Sequence, residues 1–196
     1  METDGQLIAQ VLHGEREKFG ILVERYQRQI YRFLIRMGLD HDETADIMQN
    51  AFIKAYSNLK SVREEGSFRC WLYTIAANQA KNYLRQVSRR GVQVSPEALY
   101  SVEERDNPEL IYERRSLRDR IEEAMVRLSE IQRQVVVLRA FEDLPFKEVA
   151  KITNMSLSGV KVTYHRALKK MSISFKIKVS NTKLEAREKG QNEMSA

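Results

Sequence analysis

Read as a helix, the stretch from Phe68 to Arg85 sorts its side chains onto two faces. Phe68, Leu72, Ile75, Ala76 and Ala80 recur at helical spacing on one face. Thr74, Asn78, Lys81, Arg85 and, one turn on, Arg89 line the other. That second stripe opens with hydroxyl and amide groups, which suit nucleobase edges, and ends with cations, which suit phosphate. An ordinary solvated basic face has the same pattern, so the stripe alone leaves both readings open. Enzyme chemistry finds no comparable set. His13, His41, His165 and Cys70 are scattered without metal-ligand spacing, and no glycine-rich phosphate loop is present. No catalytic residue, metal or cofactor is expected. The histidines read as surface residues, with His165 set apart by its place on a candidate recognition helix. Cys70 reads as a plain buried thiol.

The elements that must position this stripe are helical. The chain has 196 residues, 42% of them hydrophobic and 31% charged, with a net charge of +6 and a pI near 9.4. A basic chain of this size suits nucleic acid or an anionic membrane surface. A lone cysteine excludes an intrachain disulfide and fits a reducing cytoplasm. Met-Glu-Thr-Asp-Gly at the start has neither a basic nor an apolar signal region, so no signal peptide is expected. No apolar run reaches the roughly 20 residues a spanning helix needs, so no membrane insertion is expected either. Glycine and proline are scarce, and the fold class is read as all-α.

A first helix is predicted over Asp4 to Leu12, closed by His13-Gly14. A long helix from about Glu15 to Met37 follows, with Phe19, Leu22, Val23, Tyr26, Ile30, Phe33, Leu34 and Met37 as its apolar stripe. Asp40 or Asp42 caps the next helix, which runs to about Leu59. Met48, Ala51, Phe52, Ala55, Tyr56 and Leu59 should face its core. Asp46, Gln49, Asn50 and Ile53 lie outside, and an exposed isoleucine among polar groups fits either a docking surface or nothing at all. Lys60 to Ser67 reads as a polar loop before the Phe68 helix, which continues to about Ser88.

Gly91 to Asp106 lacks helical periodicity and carries Glu97, Glu103, Glu104 and Asp106 against one cation, Arg105. It reads as a flexible acidic linker. Asn107-Pro108-Glu109 then starts a helix, with Leu110, Leu117, Ile121, Ala124, Met125 and Leu128 buried. Ser129 with Gln132 forms a capping box for a helix to about Phe141. A short helix, Phe146 to Ile152, the turn Thr153-Asn154-Met155 and a last helix capped by Ser156 give a helix-turn-helix outline. Leu157, Val160, Tyr164, Leu168 and Met171 should be buried. Ser158, Lys161, Val162, His165, Arg166 and Lys169 remain for a major groove. Ile173 to Val179 alternates and is read as a frayed basic tail rather than a strand. The expected architecture is two small helical domains, residues 1–90 and 109–172, joined by the linker 91–108 and followed by the tail 173–196.

The order of these pieces resembles the bacterial RNA polymerase sigma factors of the extracytoplasmic-function group, over about residues 5 to 172. The segments that carry the resemblance are Asp46-Ile47-Met48-Gln49-Asn50-Ala51-Phe52-Ile53-Lys54-Ala55-Tyr56, the Phe68 to Arg85 helix, and Glu148-Val149-Ala150 before the second turn. The resemblance implies that Asp46, Gln49, Asn50 and Ile53 dock on core RNA polymerase. Asn50 stands where the family usually has an acid, which removes a charge-assisted contact. It implies that the loop Lys60 to Ser67, including Val62, Arg63 and Ser67, with Asn78 behind it, is a pocket for a flipped base of the minus-ten promoter element, and that Trp71, mainly a core residue, supports the melted DNA. A pocket of this kind must offset the few kcal/mol that flipping costs. Lys81, Asn82 and Arg85 match positions near the upstream duplex. Ser156, Ser158, Lys161, Val162, His165, Arg166 and Lys169 would read the minus-thirty-five element. There Ser158-Gly159-Val160-Lys161-Val162-Thr163 departs from the family's usual Gly-Thr-Val pattern, so an uncommon recognition sequence is expected. Core RNA polymerase, promoter DNA and an anti-sigma factor are the implied partners. A stand-alone helix-turn-helix regulator, binding palindromic DNA as a dimer, is the competing reading. The paired motifs and the lack of an evident dimer seam speak against it.

Overall fold

The computed structural model describes residues 2–62, 67–89 and 120–172, and among these residues it is all helix, with no strand. Each helix in the N-terminal half has a local reason to begin or end. α1 (Asp4–Leu12) opens on a capping box between Thr3 and Gln6 and closes at His13, followed by Gly14 at φ 112°. α2 (Lys18–Met37) ends at Gly38, whose left-handed φ of 101° lets its N–H turn back to the carbonyls of Leu34 and Ile35. α3 (His41–Ser57) is capped by Asp40, which accepts the Glu43 N–H at 2.9 Å. A 3-10 turn (Leu59–Ser61) follows. α4 (Phe68–Arg89) begins where the Ser67 hydroxyl accepts the Cys70 N–H at 3.1 Å.

In the C-terminal half, α5 (120–126) leads to α6 (Glu130–Val136), opened by the capping box of Ser129 and Gln132. α6 was expected to run to Phe141 as ordinary helix; its last five residues, Val137–Phe141, widen instead into a π turn. α7 (Phe146–Thr153) follows, Asn154 turns the chain at φ 53°, and α8 (157–172) closes the described chain.

The core forms first between α2, α3 and α4. Leu22, Ile30, Phe33, Leu34 and Leu72 are fully buried, and Phe33 meets Tyr73 edge-on with ring centres 5.2 Å apart. The same apolar cluster continues without a break into Met125, Val135, Leu138, Val149, Val160 and Ala167. The junction is the face of α4 that carries Cys70, Tyr73 and Ala77, all buried. Spacing assigned the Phe68, Leu72, Ile75, Ala76, Ala80 stripe to the core, and Cys70 was read as buried; the burial of Tyr73 and Ala77 was not expected, and α7 packs on α4 over this second face. Ile75 is correspondingly only half-buried.

Several other expectations change. α2 begins at Lys18, not Glu15. On α3 the buried stripe is rotated: Thr44 and Ile47 are inside, Met48 is half-buried and Tyr56 is 39% exposed. On α8 Leu157 and Leu168 are exposed, and Ala167 takes the central position. The linker 91–108, the helix start at Asn107-Pro108, residues 109–119, the loop 63–66 and the tail 173–196 lie outside the described residues.

Removing buried methyl groups costs both transfer energy and a cavity. Leu34→Ala is therefore expected to lose about 2–5 kcal/mol, whereas Ile53→Ala on the outer face of α3 should stay within about 0.5 kcal/mol. Thermal unfolding followed by circular dichroism checks this; equal shifts for the two variants would contradict the assigned core.

Candidate functional site

The stripe Asp46, Gln49, Asn50 and Ile53 falls on one side of α3, and all four side chains are exposed. Ile53 is 55% exposed, too much for a stray core residue. It is not isolated. Beside it an open hollow of about 380 Å³ runs between α2 and α3, lined by Phe19, Val23, Met48, Phe52, Ile53 and Tyr56. Sequence reading found Ile53 and assigned Phe19, Val23 and Tyr56 to the core; Phe19 is buried as expected, whereas Val23 is half-buried and Tyr56 is 39% exposed. The exposure of these two depends on how α2 and α3 cross, which no single-helix pattern reports. Gln27 and Gln49 give this apolar hollow its polar lining, an arrangement suited to a partner helix.

The second face lies along α4. Asn78, Asn82 and Arg85 are exposed and Lys81 is half-buried. They follow one another at helical spacing and span roughly 10 Å from Asn78 to Arg85. No acidic residue occurs between Phe68 and Arg89, so nothing on this helix neutralises Arg69, Lys81, Arg85 and Arg89. Thr74, placed on this stripe by spacing, turns its hydroxyl back to the Cys70 carbonyl at 2.9 Å and is spent there. Trp71 is half-buried and leans on Phe68 with ring centres 6.1 Å apart, so one edge supports the core and another meets solvent. Val62 is half-buried against the core, Ser67 caps α4, and Arg63 lies outside the described residues.

The third face is α8. Ser158, Lys161, Val162, His165, Arg166 and Lys169 are all exposed, while Val160, Ala167 and Met171 anchor the opposite side. Tyr164 fixes α8 on α7 by meeting Phe146 edge-on at 5.5 Å. α8 also has no acidic residue. Ser156 does not point at a groove from the helix body. Its hydroxyl accepts the Gly159 N–H at 3.1 Å and sits beside Ser158 at 3.2 Å. A Cβ on residue 159 would stand 3.0 Å from that hydroxyl, so the glycine makes room for the cap. Val162, 48% exposed among cations, presents a methyl surface where a polar reader would be expected. A thymine methyl is the complementary base feature.

Among the described residues, no three His, Cys, Asp or Glu side chains gather as metal ligands, and no helix is long and apolar enough to cross a membrane.

Comparison with known proteins matches two segments of the chain. Residues 22–90 match the model of sigma-70 region 2, and residues 118–171 match that of sigma-70 region 4. The chain is similar to the RNA polymerase sigma-H factor of Pseudomonas aeruginosa, 33% identical over 178 residues that cover 85% of this chain and 90% of that one. It is 32% identical over 173 residues to the ECF RNA polymerase sigma-E factor of Escherichia coli K12, covering 84% of this chain and 90% of that one. In fold it is similar to CnrH, solved in complex with the cytosolic domain of CnrY, at a TM-score of 0.66, 23% identity and coverage of 87% and 96%. It is equally similar to RpoE of Bartonella quintana, solved with the anti-sigma factor NepR, at a TM-score of 0.66, 22% identity and coverage of 82% and 98%.

Proposed function

We propose a two-point promoter reader for this chain, which belongs to the extracytoplasmic-function group of the sigma-70 family of RNA polymerase sigma factors. It binds core RNA polymerase and directs promoter-specific initiation, and the polymerase makes and breaks the bonds. Residues 1–90 carry polymerase docking and minus-ten capture, and residues 109–172 carry minus-thirty-five reading. The observation that carries this reading is the pair of acid-free helices, α4 and α8, each exposing amides or hydroxyls together with cations along one side. Phosphate attraction supplies affinity on both helices, while base edges supply the choice of sequence.

On α3, the apolar hollow with Ile53 at its edge receives the polymerase, and Asp46, Gln49 and Asn50 set the register. On α4, Asn78 offers both a donor and an acceptor to an unpaired base, with Trp71, Val62, Arg63 and Ser67 around it. Lys81, Asn82 and Arg85 hold the backbone of the adjoining duplex. On α8, Ser158, Lys161, Val162, His165, Arg166 and Lys169 enter the major groove. An anti-sigma factor is the natural repressor of such a chain, and complexes of that kind exist for RpoE of Bartonella quintana. We place the protein in the cytoplasm, in a stress or envelope response.

Separable defects are expected. Ile53→Asp should weaken binding to core polymerase about tenfold or more, read in a competition binding assay. Asn78→Ala should leave that affinity unchanged and reduce permanganate reactivity of the promoter bubble; equal losses in both assays would sink the assignment of Asn78. Arg85→Ala should weaken promoter complexes alike on all sequences and lower the salt slope by about 1. A slope unchanged across a potassium chloride titration would remove Arg85 from the phosphate contacts.

A further inference from the structure

α8 carries an apolar side chain at the point of its surface farthest from the core. Val160, Ala167 and Met171 are its buried residues and fix its inward direction. At about 100° of turn per residue these three centre on Val160, and Val162 falls at roughly 200°, on the opposite side. Leu157 and Leu168 are also open, at 38% each. Both lie within about 80° of Val160, so they border the packed side. Val162 is 48% exposed, and its neighbours three and four residues away are Ser158, Gly159, His165 and Arg166. A single exposed apolar residue is ordinary on most surfaces. On the outermost line of a helix otherwise set with polar and cationic side chains, it faces whatever the helix approaches.

The flanks define how this side meets a duplex. Lys161 and Arg166 are both exposed, and no acidic residue occurs on α8. They stand at about 100° and 240°, one on each side of Val162. In a major groove about 12 Å wide, the long cations reach the phosphates of the two walls, and the ridge between them meets the base edges of the floor. Ser158, Val162 and His165 follow one another along that ridge. From Ser158 to His165 the helix rises about 10 Å, which matches about three base pairs. Ser158 and His165 can exchange hydrogen bonds with base edges; Val162, between them, cannot. The apolar group on the floor of the major groove is the C5-methyl of thymine. Valine is branched at Cβ and holds one strongly preferred rotamer in a helix, so its methyls are in place before DNA arrives.

We propose that Val162 is a methyl reader. It selects a pyrimidine carrying a C5-methyl, thymine in unmodified DNA, at the centre of a stretch of about three base pairs in the minus-thirty-five element. The contact is apolar, with no hydrogen bond from residue 162. The proposal rests on the major-groove role given to α8 above and names the base chemistry that Val162 recognises. It follows that C5-methylated cytosine at the same position meets Val162 as thymine does, because the methyl is carried on the same ring carbon.

The test removes methyls one at a time. Holoenzyme assembled from the full chain and core RNA polymerase is selected on duplexes randomised across the minus-thirty-five window. Each thymine of the preferred site, on either strand, is then replaced in turn by uracil, which keeps every hydrogen-bonding group of thymine and lacks only the methyl. At one position the replacement is expected to weaken competition binding about fourfold, the worth of one buried methyl. At that position 5-methylcytosine should bind about fourfold tighter than cytosine. Both differences should vanish in Val162→Ser, whose exposed site keeps the cost in fold stability within about 0.5 kcal/mol. Lys161→Ala should weaken all duplexes alike and keep the uracil effect. A preferred site without thymine, uracil tolerated at every position, or a uracil penalty that survives Val162→Ser overturns the methyl reader. Failure of the underlying role would appear separately: wild-type holoenzyme would show no preferred sequence in the window, and both the role and the methyl reader would fall.

Discussion

A carboxylate in an apolar interior must be paired, and Glu142 is the carboxylate at the seam of this molecule. Meeting that demand orders the side chains around it. Tyr73 turns its hydroxyl to Glu142 while its ring packs on Phe33, so the contact reaches the centre of the N-terminal core. Burial and the adjacent negative charge push the Tyr73 hydroxyl far above the usual phenol range, which keeps it a proton donor. Arg36 adds the positive charge from the last turn of α2, and Arg69 extends from α4 to the carbonyl of the same residue. Arg133 makes the reciprocal contact, capping the end of α2 through the Met37 carbonyl; burial lowers its proton affinity without neutralising it. The C-terminal half is therefore docked by a few directional contacts laid over ordinary hydrophobic packing.

The same contrast between directional and non-directional contact runs through the functional faces. Helices α4 and α8 bury small residues at their closest contacts, Ala76, Ala77 and Ala80 on one and Val160 and Ala167 on the other. The long polar side chains are left outside, in water. The α3 face inverts the arrangement. Its apolar hollow is lined by Phe19, Phe52 and Tyr56, with Phe19 meeting Tyr56 edge-on at 5.1 Å. A protein partner can gain from that hollow by excluding water, whereas DNA cannot.

How much of this the sequence disclosed follows from how many neighbours each helix has. α2 and the capped starts of α3 and α6 were legible, because a stripe, a glycine stop or a capping box is a local signal. α4 was half legible. Its first core face follows from spacing and Cys70 was read as buried, but Tyr73 and Ala77 are covered by the C-terminal half of the chain, and no local pattern reports that contact. For the same reason nothing local to Glu142 signals its burial. The outward-facing positions of α3, α4 and α8 were placed well, because exposure needs no knowledge of the partner. Thr74 was misread because its short side chain bonds its own helix. Leu157 and Leu168 were misread because period alone does not tell a core from a flank.

Run-off transcription with purified core RNA polymerase, with and without this protein, on fragments of the source genome tests the central claim most directly. Discrete transcripts that appear only when the protein is present, with start sites preceded by a shared pair of sequence elements, are the expected result. No protein-dependent transcript, together with specific duplex binding by the protein alone, would contradict it and assign the chain to stand-alone regulation.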